Sequence, residues 1–442
     1  MTTVPEISFK HYREKVRKAQ IYLIKGKVKE LTGLIVKAVV PNVRVGELCY
    51  IHIHNIDKML KAEVVGFKDK DVLLMPLGDL EGIGPGNDVL PTGDCLKVPV
   101  GEGLLGRILN GLGEPVEAEK KGPIACDTYY PVHNSPPDPL RRRRITKPIS
   151  VGVKAIDAVL TTGEGQRVGL FAAAGVGKST LMGMIARNTE AEINVICLVG
   201  ERGRELRDFL EQDLGDEGLK RSVVVCSTSD QPSLVRAKAA YVATAIAEYF
   251  RDQGKKVLFM LDSITRFARA LREIGLAVGE PPARQGFTPS VFSTLPRLLE
   301  RTGNSDKGSI TAFYTVLVEG DDMNEPVADE VRSILDGHIV MSRALANQGH
   351  YPAINVSESV SRVMTNIINE DHKHAAAKLK EVVAHYEKER DLILIGAYES
   401  GSNPNVDYAI EMIEAVNDFL KQSVDQKVEL VEAVDQLITL FE

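Results

Sequence analysis

Hydrophobic and polar positions change their pattern twice along the chain. Between about Ile21 and Val98, short β-rich runs such as GLIVKAVV and DVLLMPL are broken by Gly, Asn and Asp. From Ser150 onwards, apolar runs alternate with helical segments, and after about Asn355 the β signals largely disappear. Short, regularly spaced strands are typical of a small barrel or sandwich. Alternating strands and helices predict a parallel sheet that is covered on both faces.

The second region carries apolar runs of strand length between segments of helix length. The predicted strands are Arg167–Ala172, Ile193–Val199, Ser222–Ser227, 257–261 and 309–318. The predicted helices are Lys178–Asn188 and 234–250, followed near the end of the chain by 374–389, 406–422 and 425–441. The sequence therefore predicts an α/β domain followed by a helical domain.

At 442 residues the chain is too long for one compact core, and the pattern divides it into four predicted segments. We expect a charged, weakly amphipathic helix over 1–18 and a β-barrel domain over 19–98. An α/β domain with a preceding Gly/Pro-rich linker is expected over 99–354, and a helical domain over 355–442. The linker contains four consecutive arginines, 141–144, which are predicted to be a solvated stretch.

Composition and charge narrow the possible functions. A net charge of −7 argues against nucleic-acid binding through a general positive field. The five cysteines lack CxxC or CxxH spacing, so neither a zinc site nor a disulfide framework is expected, and Cys197 and Cys226 are predicted to be buried thiols. Neither a signal-peptide core nor a run of about 18 apolar residues is present. We therefore expect a cytoplasmic protein that reaches a membrane only through partners.

The run AAAGVGKST lies where a predicted strand ends and a predicted helix begins. This is the P-loop spacing, in which N–H groups of a turn and of a helix N-terminus converge on phosphates. Lys178 is expected to reach the β- and γ-phosphates and Ser179 to ligate Mg²⁺. Ala172 stands where the motif has its first glycine, a change that is tolerated if its φ is negative. The predicted nucleotide-binding residues are Gly175, Val176, Gly177, Lys178, Ser179 and Thr180.

Acidic residues follow two other predicted strands. Asp262 ends the run KKVLFMLD, and a carboxylate at that position beside a P-loop can hold Mg²⁺ through water. Glu201, Arg202 and Glu205 follow the run INVICLV, where a carboxylate can polarise the attacking water. We prefer Glu201 for that role and expect Glu205 to be a supporting or structural charge. Together with the P-loop, these residues predict an enzyme that hydrolyses ATP with Mg²⁺.

The motifs, taken in order, resemble those of a known family. AAAGVGKST, VGERGRE, LDSITRFARA, TVLVEGDDMNEPVADEVRSILDGHIVMSR and YPAINVSESVSRVM follow the pattern of type III secretion ATPases, which are relatives of the rotary ATP synthase subunits. The resemblance implies an N-terminal β-barrel, a RecA-like α/β core with a mostly parallel sheet and a C-terminal helical domain. Two branches compete, the injectisome ATPase and the flagellar export ATPase. The runs TGLIVKAVVPNVRVGELCYI and EYFRDQGKKVLFMLDS favour the injectisome branch.

The resemblance also implies a homohexameric ring with nucleotide sites between subunits. Arg362 matches an arginine finger that reaches the neighbouring γ-phosphate, and Tyr351 matches an aromatic residue that stacks on adenine. Arg266 matches a residue beside the catalytic glutamate, and residues 279–287 match a loop that lines the central pore. The candidate catalytic residues are Lys178, Glu201, Arg202, Arg266 and Arg362.

The implied function is ATP hydrolysis that energises type III protein secretion at the cytoplasmic face of the inner membrane. The implied partners are a peripheral-stalk regulator on residues 1–18, a central-stalk protein, chaperone–effector complexes and a membrane export gate. Two other classes share the core. A rotary ion-pump subunit would need alternating unlike subunits, whereas this chain carries both P-loop and finger. The acidic charge and sparse aromatic residues argue against a hexameric nucleic-acid translocase, so no nucleic-acid partner is expected.

Overall fold

The computed structural model describes residues 24–318, 320 and 322–442, so the helix predicted over 1–18 lies outside the described residues. Contacts within the chain define two compact units, divided between Cys95 and Leu96. Within the described ranges, no helix is long and apolar enough to cross a membrane.

The first unit contains a closed antiparallel barrel, which confirms the predicted N-terminal barrel. Its strands are β1 (Gly26–Thr32), β2 (Ile35–Val39), β3 (Glu47–Ile53), β4 (Lys58–Lys68), β5 (Asp71–Pro76) and β6 (Asp88–Cys95), in the order β1-β2-β5-β4-β3-β6 round the barrel. In β3, Cys49, Ile51 and Ile53 are buried while the residues between them are partly exposed. Since alternate residues of a strand face opposite sides, this row fills the barrel interior.

The second unit is built on a mostly parallel sheet, as predicted. Its strands are β7 (Lys97–Val100), β8 (Arg107–Asn110), β9 (Thr128–Pro131), β10 (Arg167–Ala172), β11 (Ile193–Val199), β12 (Ser222–Ser227), β13 (Lys256–Asp262), β14 (Gly303–Asn304), β15 (Ser309–Leu317), β16 (Gly337–Met341) and β17 (Ile354–Ser361). The sheet order is β17-β16-β10-β15-β13-β11-β12-β8, with β14 paired to β15, while β7 and β9 form a separate antiparallel pair. Among the described strands of the main sheet, only β14 and β17 run antiparallel to their neighbours.

The second unit also contains helices, which include the layers on both faces of this sheet and the helical C-terminal region. They are α1 (Ala118–Lys121), α2 (Lys154–Val159), α3 (Lys178–Asn188), α4 (Gly203–Asp208), α5 (Gly215–Lys220), α6 (Ser233–Asp252), α7 (Ile264–Val278), α8 (Pro289–Leu299), α9 (Pro326–Ile334), α10 (Arg343–Asn347), α11 (Met364–Ile367), α12 (Glu370–Leu394), α13 (Pro404–Leu420) and α14 (Leu430–Thr439). A π-helical turn, Phe209–Leu214, joins α4 to α5.

Strand β11 shows why the sheet is hidden from solvent, since all of its residues are buried. Ile196 and Leu198 belong to an apolar cluster that includes α3 and the C-terminal helices. Val195 and Cys197 belong to the opposite cluster, which includes α6, α7 and α8. Burial on both faces explains the continuously apolar run. The prediction that Cys197 and Cys226 are buried thiols is confirmed.

The expectation that β structure ends near residue 355 is wrong, because β17 continues to Ser361 and pairs antiparallel with β16. It lies at the edge of the sheet and has only one neighbour. Ser357 and Glu358 are exposed, so the apolar signal of a buried strand is missing from the sequence. A half-exposed polar edge strand cannot be distinguished from a loop by its periodicity.

The prediction that residues 141–144 are a solvated stretch holds for Arg141, Arg143 and Arg144, which are exposed, and is wrong for Arg142, which is half-buried. Arg142 donates to the carbonyl of Thr302 at 2.9 Å, and Arg143 donates to the carbonyl of Ser305 at 2.9 Å. Arg142 also forms an ion pair with Glu300 at 3.2 Å. These contacts fasten the arginine run to the segment that follows α8.

Candidate active site

The predicted phosphate loop joins the end of β10 to the start of α3. Gly175 and Gly177 have φ values of 81° and 85°, a left-handed conformation that glycine adopts without strain. Ala172 is the last residue of β10, so the glycine usual at that position is not needed. The free N–H groups at the start of α3 form an anion-binding surface at this turn.

Three charged side chains meet beside this loop. The Lys178 ammonium donates a hydrogen bond to Asp262 Oδ1 and lies 3.7 Å from Glu201 Oε1. Lys178 follows β10, Glu201 follows β11 and Asp262 ends β13, so all three come from the carboxyl ends of parallel strands. This is the edge of an open α/β sheet at which ligands bind. The Asp262 side chain is only 4% exposed, so its charge depends on a cationic partner.

Arg266 fixes one oxygen of Glu201. Its guanidinium lies 3.2 Å from Glu201 Oε2 and also donates to the carbonyl of Gly200. This places Arg266 beside the glutamate, where the family resemblance expects it. Glu201 Oε1 is buried and accepts no hydrogen bond within the described residues. A carboxylate with one oxygen held and the other free can accept a proton from a water molecule.

Burial raises the pKa of Glu201 to about 7, and the negative charge of Asp262 acts in the same direction. The positive charges of Lys178 and Arg266 oppose this rise. In contrast, the pKa of Glu205 is lowered, chiefly by its hydrogen bond with Glu201. A group whose pKa lies near neutral pH is suited to general-base catalysis, so the electrostatics favour Glu201 over Glu205.

The raised pKa predicts a pH-dependent effect of Glu201→Gln on stability. Because the folded pKa exceeds the ordinary value of 4.5, the neutral carboxyl is favoured by folding. The wild type therefore loses stability as the pH rises from the pKa of Glu201 in the unfolded chain through its pKa in the folded protein. The Glu201→Gln variant has no ionisable group at this position and does not lose this stability. We expect the melting temperature of Glu201→Gln, relative to wild type, to be higher at about pH 8 than at about pH 5.

Glu192→Gln is the control for this measurement in nucleotide-free protein. The pKa of Glu192 is lowered, chiefly by its hydrogen bond from Lys255, so its carboxylate contributes stability that is present at high pH and lost in acid. The melting temperature of Glu192→Gln, relative to wild type, should accordingly decrease from acid to alkaline pH. The same pH trend in both variants would contradict the raised pKa of Glu201.

A mainly apolar cavity of about 240 Å³ adjoins the phosphate loop. Its walls are Val176, Gly177, Thr180, Leu181, Met184, Met341, Tyr351, Pro352, Gln422 and Val424. Tyr351 is 46% exposed, and its ring lies against Gly177. An apolar recess beside a phosphate loop can accommodate a planar base, and an exposed tyrosine ring can stack on it. Ser179 lies at the same turn and is exposed.

Sequence reasoning did not identify Gln422 as part of this cavity. Its side chain accepts a hydrogen bond from Lys154 N at 2.8 Å and donates to the carbonyl of Gly152 at 2.9 Å. Its backbone N–H donates to the carbonyl of Tyr351 at 3.0 Å. These bonds fasten the segment after α13 to the wall of the cavity. A glutamine at the end of a predicted helix gives no sequence signal for such a role.

Two predicted catalytic residues lie apart from the charged cluster. Arg202 is exposed and pairs with Glu205 at 3.4 Å. Arg362 is also exposed, and its guanidinium donates to the carbonyl of Arg332 at 3.2 Å. Among the described residues, neither arginine forms a hydrogen bond or an ion pair with Lys178 or Asp262.

Three family models match separate ranges of the chain. Residues 28–93 match the beta-barrel domain of the ATP synthase alpha/beta family, and residues 152–361 match the nucleotide-binding domain of that family. Residues 368–439 match the T3SS EscN ATPase C-terminal domain.

Individual proteins are similar over almost the whole length. The chain is 56% identical to the flagellum-specific ATP synthase of Bacillus subtilis (strain 168), over 90% of each chain. It is 55% identical to the type 3 secretion system ATPase of Xanthomonas euvesicatoria, over 90% of this chain and 89% of that one. The assembled ATPase EscN of the enteropathogenic E. coli type III secretion system superposes with a TM-score of 0.89 at 46% identity, covering 94% and 99% of the two chains. EscN in complex with its central stalk EscO gives a TM-score of 0.87 at the same identity and coverage.

Proposed function

Because the chain belongs to the family of type III secretion ATPases and flagellum-specific ATP synthases, we propose that it hydrolyses Mg²⁺-ATP as a homohexameric ring to energise type III protein secretion. The observation that carries the catalytic part is the meeting of Lys178, Glu201 and Asp262 beside the phosphate loop. This arrangement provides a cation for the phosphates, a base for water and a carboxylate for the metal.

Each group in the cluster has a separate task in hydrolysis. The N–H groups from Gly175 to Ser179 and the Lys178 ammonium bind the phosphates and stabilise the charge on the transferred phosphoryl group. Glu201 Oε1 accepts the proton of the attacking water, while Arg266 holds Oε2 and so fixes the carboxylate orientation.

Asp262 and Ser179 would hold the metal. Both offer oxygen atoms, which Mg²⁺ prefers, and the buried Asp262 carboxylate already binds a cationic group, the Lys178 ammonium. Bound Mg²⁺ would neutralise negative charge that develops on the phosphates.

The exposed Arg362 and the partly exposed Tyr351 support sites shared between subunits. Arg362 lies outside its own chain's charged cluster, so its role as a finger requires the site of a neighbouring copy. Arg202 is proposed to assist at the same interface, because its side chain is exposed just after Glu201. Tyr351 would stack on adenine in the cavity that it shares with Val176 and Thr180.

The proposed partners follow the family. A central-stalk protein would contact the pore loop 279–287, which contains an exposed turn at Arg284–Gly286, and EscN assembles with such a stalk. A peripheral-stalk regulator would bind residues 1–18. Chaperone–effector complexes and an export gate would place the enzyme at the cytoplasmic face of the inner membrane.

Glu201→Gln tests this proposal at two levels. The purified variant should bind ATP with nearly wild-type affinity and lose about 10²–10⁴-fold in kcat, since only the proton acceptor is removed. Nucleotide binding and steady-state hydrolysis measure the two effects. Near wild-type turnover would contradict the assignment and make Glu205 the candidate.

The same variant, placed in the host chromosome, tests the secretion branch. We expect loss of effector secretion into the medium with unchanged motility. The flagellum-specific relative is as similar as the secretion relative, so a flagellar export function is the second candidate. Loss of motility with normal effector secretion would establish that alternative. If both were unchanged, the export function would be wrong.

A further inference from the structure

The Thr315 hydroxyl lies directly against the proposed metal-binding carboxylate. Thr315 Oγ1 donates to Asp262 Oδ1 at 2.6 Å, and the Thr315 side chain is fully buried. The contact follows from the strand register. β13 and β15 are parallel neighbours with Leu261 opposite Tyr314. The next residues along the two strands, Asp262 and Thr315, therefore lie opposite each other. The sheet itself therefore holds this hydroxyl beside the carboxylate.

The same carboxylate oxygen also accepts a hydrogen bond from Lys178. The two donors differ in the other partners that are available to them. Lys178 is the residue proposed to bind phosphates, so its ammonium is shared with the nucleotide. Thr315 has one proton to donate, and its other neighbour, the carbonyl of Leu261, is more distant at 3.3 Å. The shorter bond to a charged acceptor is the stronger one. Thr315 thus gives Asp262 a donor that is not shared with the nucleotide.

We infer that Thr315 is a positioning residue that orients the Asp262 carboxylate toward the metal of the bound nucleotide. The inference rests on the proposed function, because it takes Asp262 as a metal-binding group. Mg²⁺ requires near-ideal octahedral geometry, so it is sensitive to rotation of a ligand. A buried carboxylate that loses a donor must rotate or leave an oxygen unsatisfied, and groups that hold metal ligands typically contribute about 10- to 100-fold to metal affinity.

Binding of a fluorescent ADP analogue to the full-length protein, with Mg²⁺ or with EDTA, tests the inference without relying on turnover. In wild type, Mg²⁺ should increase the affinity. Thr315→Val keeps the shape of the side chain and removes the hydroxyl, so it should reduce this Mg²⁺-dependent gain by about 10-fold or more while the affinity in EDTA stays unchanged. Thr315→Ser keeps the hydroxyl and should retain most of the gain.

Thr311→Val is the matched control. Thr311 lies on the same face of β15, is equally buried and accepts a hydrogen bond from Gly165 N at 2.9 Å, but it does not contact Asp262. This variant should leave the Mg²⁺-dependent gain unchanged. If Thr315→Val folds poorly, Thr315→Ala provides the same comparison with a smaller side chain.

The outcomes separate this inference from the proposed function. A full Mg²⁺-dependent gain in both Thr315→Val and Thr315→Ala would overturn the role of Thr315 and leave the metal site intact. Equal losses with Mg²⁺ and with EDTA would show a merely structural role and would also overturn it. If the wild type itself gained no affinity from Mg²⁺, the proposed metal site would fail first.

Discussion

Lys178→Ala should reduce ATP hydrolysis by about 10³-fold, since one preorganised donor to a developing charge contributes about 10²–10³-fold and Lys178 carries a full positive charge. Its ammonium also binds Asp262 and lies 3.7 Å from Glu201. Without it, the phosphates lose a positive partner and the buried Asp262 carboxylate loses its cationic partner. Steady-state hydrolysis at saturating ATP measures the effect.

Lys256→Ala is a suitable control for this loss. Lys256 begins β13, the strand whose opposite end carries Asp262, and it pairs with Glu164 at 3.2 Å near the surface. The control should hydrolyse ATP at close to the wild-type rate. Circular dichroism of both variants would reveal any loss of folding. A folded Lys178→Ala protein that kept a tenth of wild-type activity would contradict the role of Lys178 in phosphate binding.

The buried part of the fold could be predicted from the sequence. The structure has β10, β11, β12 and α3 at the predicted bounds, because each is a clear apolar or amphipathic run. The central strands are covered on both faces, so burial acts on every residue and the signal is strong. The polar edge strand β17 has only one neighbour and lacks that signal.

The charged cluster could be anticipated for a related reason. In a parallel sheet the carboxyl ends of neighbouring strands share one edge, so acidic residues that follow apolar runs approach the P-loop. Thr315 and Gln422 could not be found this way, because threonine is common in strands and a glutamine after a helix is unremarkable. Their roles depend on register and on contacts between distant segments. Tyr351 and Arg362 were identified only through the family resemblance.

Mixing Lys178→Ala and Arg362→Lys subunits should restore part of the hydrolysis that each variant lacks alone. An arginine supplied by a neighbouring subunit stabilises charge on the transferred phosphoryl oxygens and contributes about 10³–10⁵-fold in rate. Lysine lacks the planar fork that binds two oxygens at once, so it should not replace Arg362. In this chain Arg362 is exposed and its guanidinium donates to the carbonyl of Arg332, an arrangement that leaves the guanidinium accessible to a neighbour.

The restoration follows from which half of the site each variant keeps. A Lys178→Ala subunit still presents Arg362, and an Arg362→Lys subunit still presents an intact phosphate loop. Where the two meet in the correct orientation, one complete site forms. The rate of hydrolysis should therefore reach a maximum at an intermediate mixing ratio. Cooperativity round the ring would lower this maximum but would not remove it. If every ratio stayed inactive while labelled subunits were shown to exchange, Arg362 would act within its own chain or not at all.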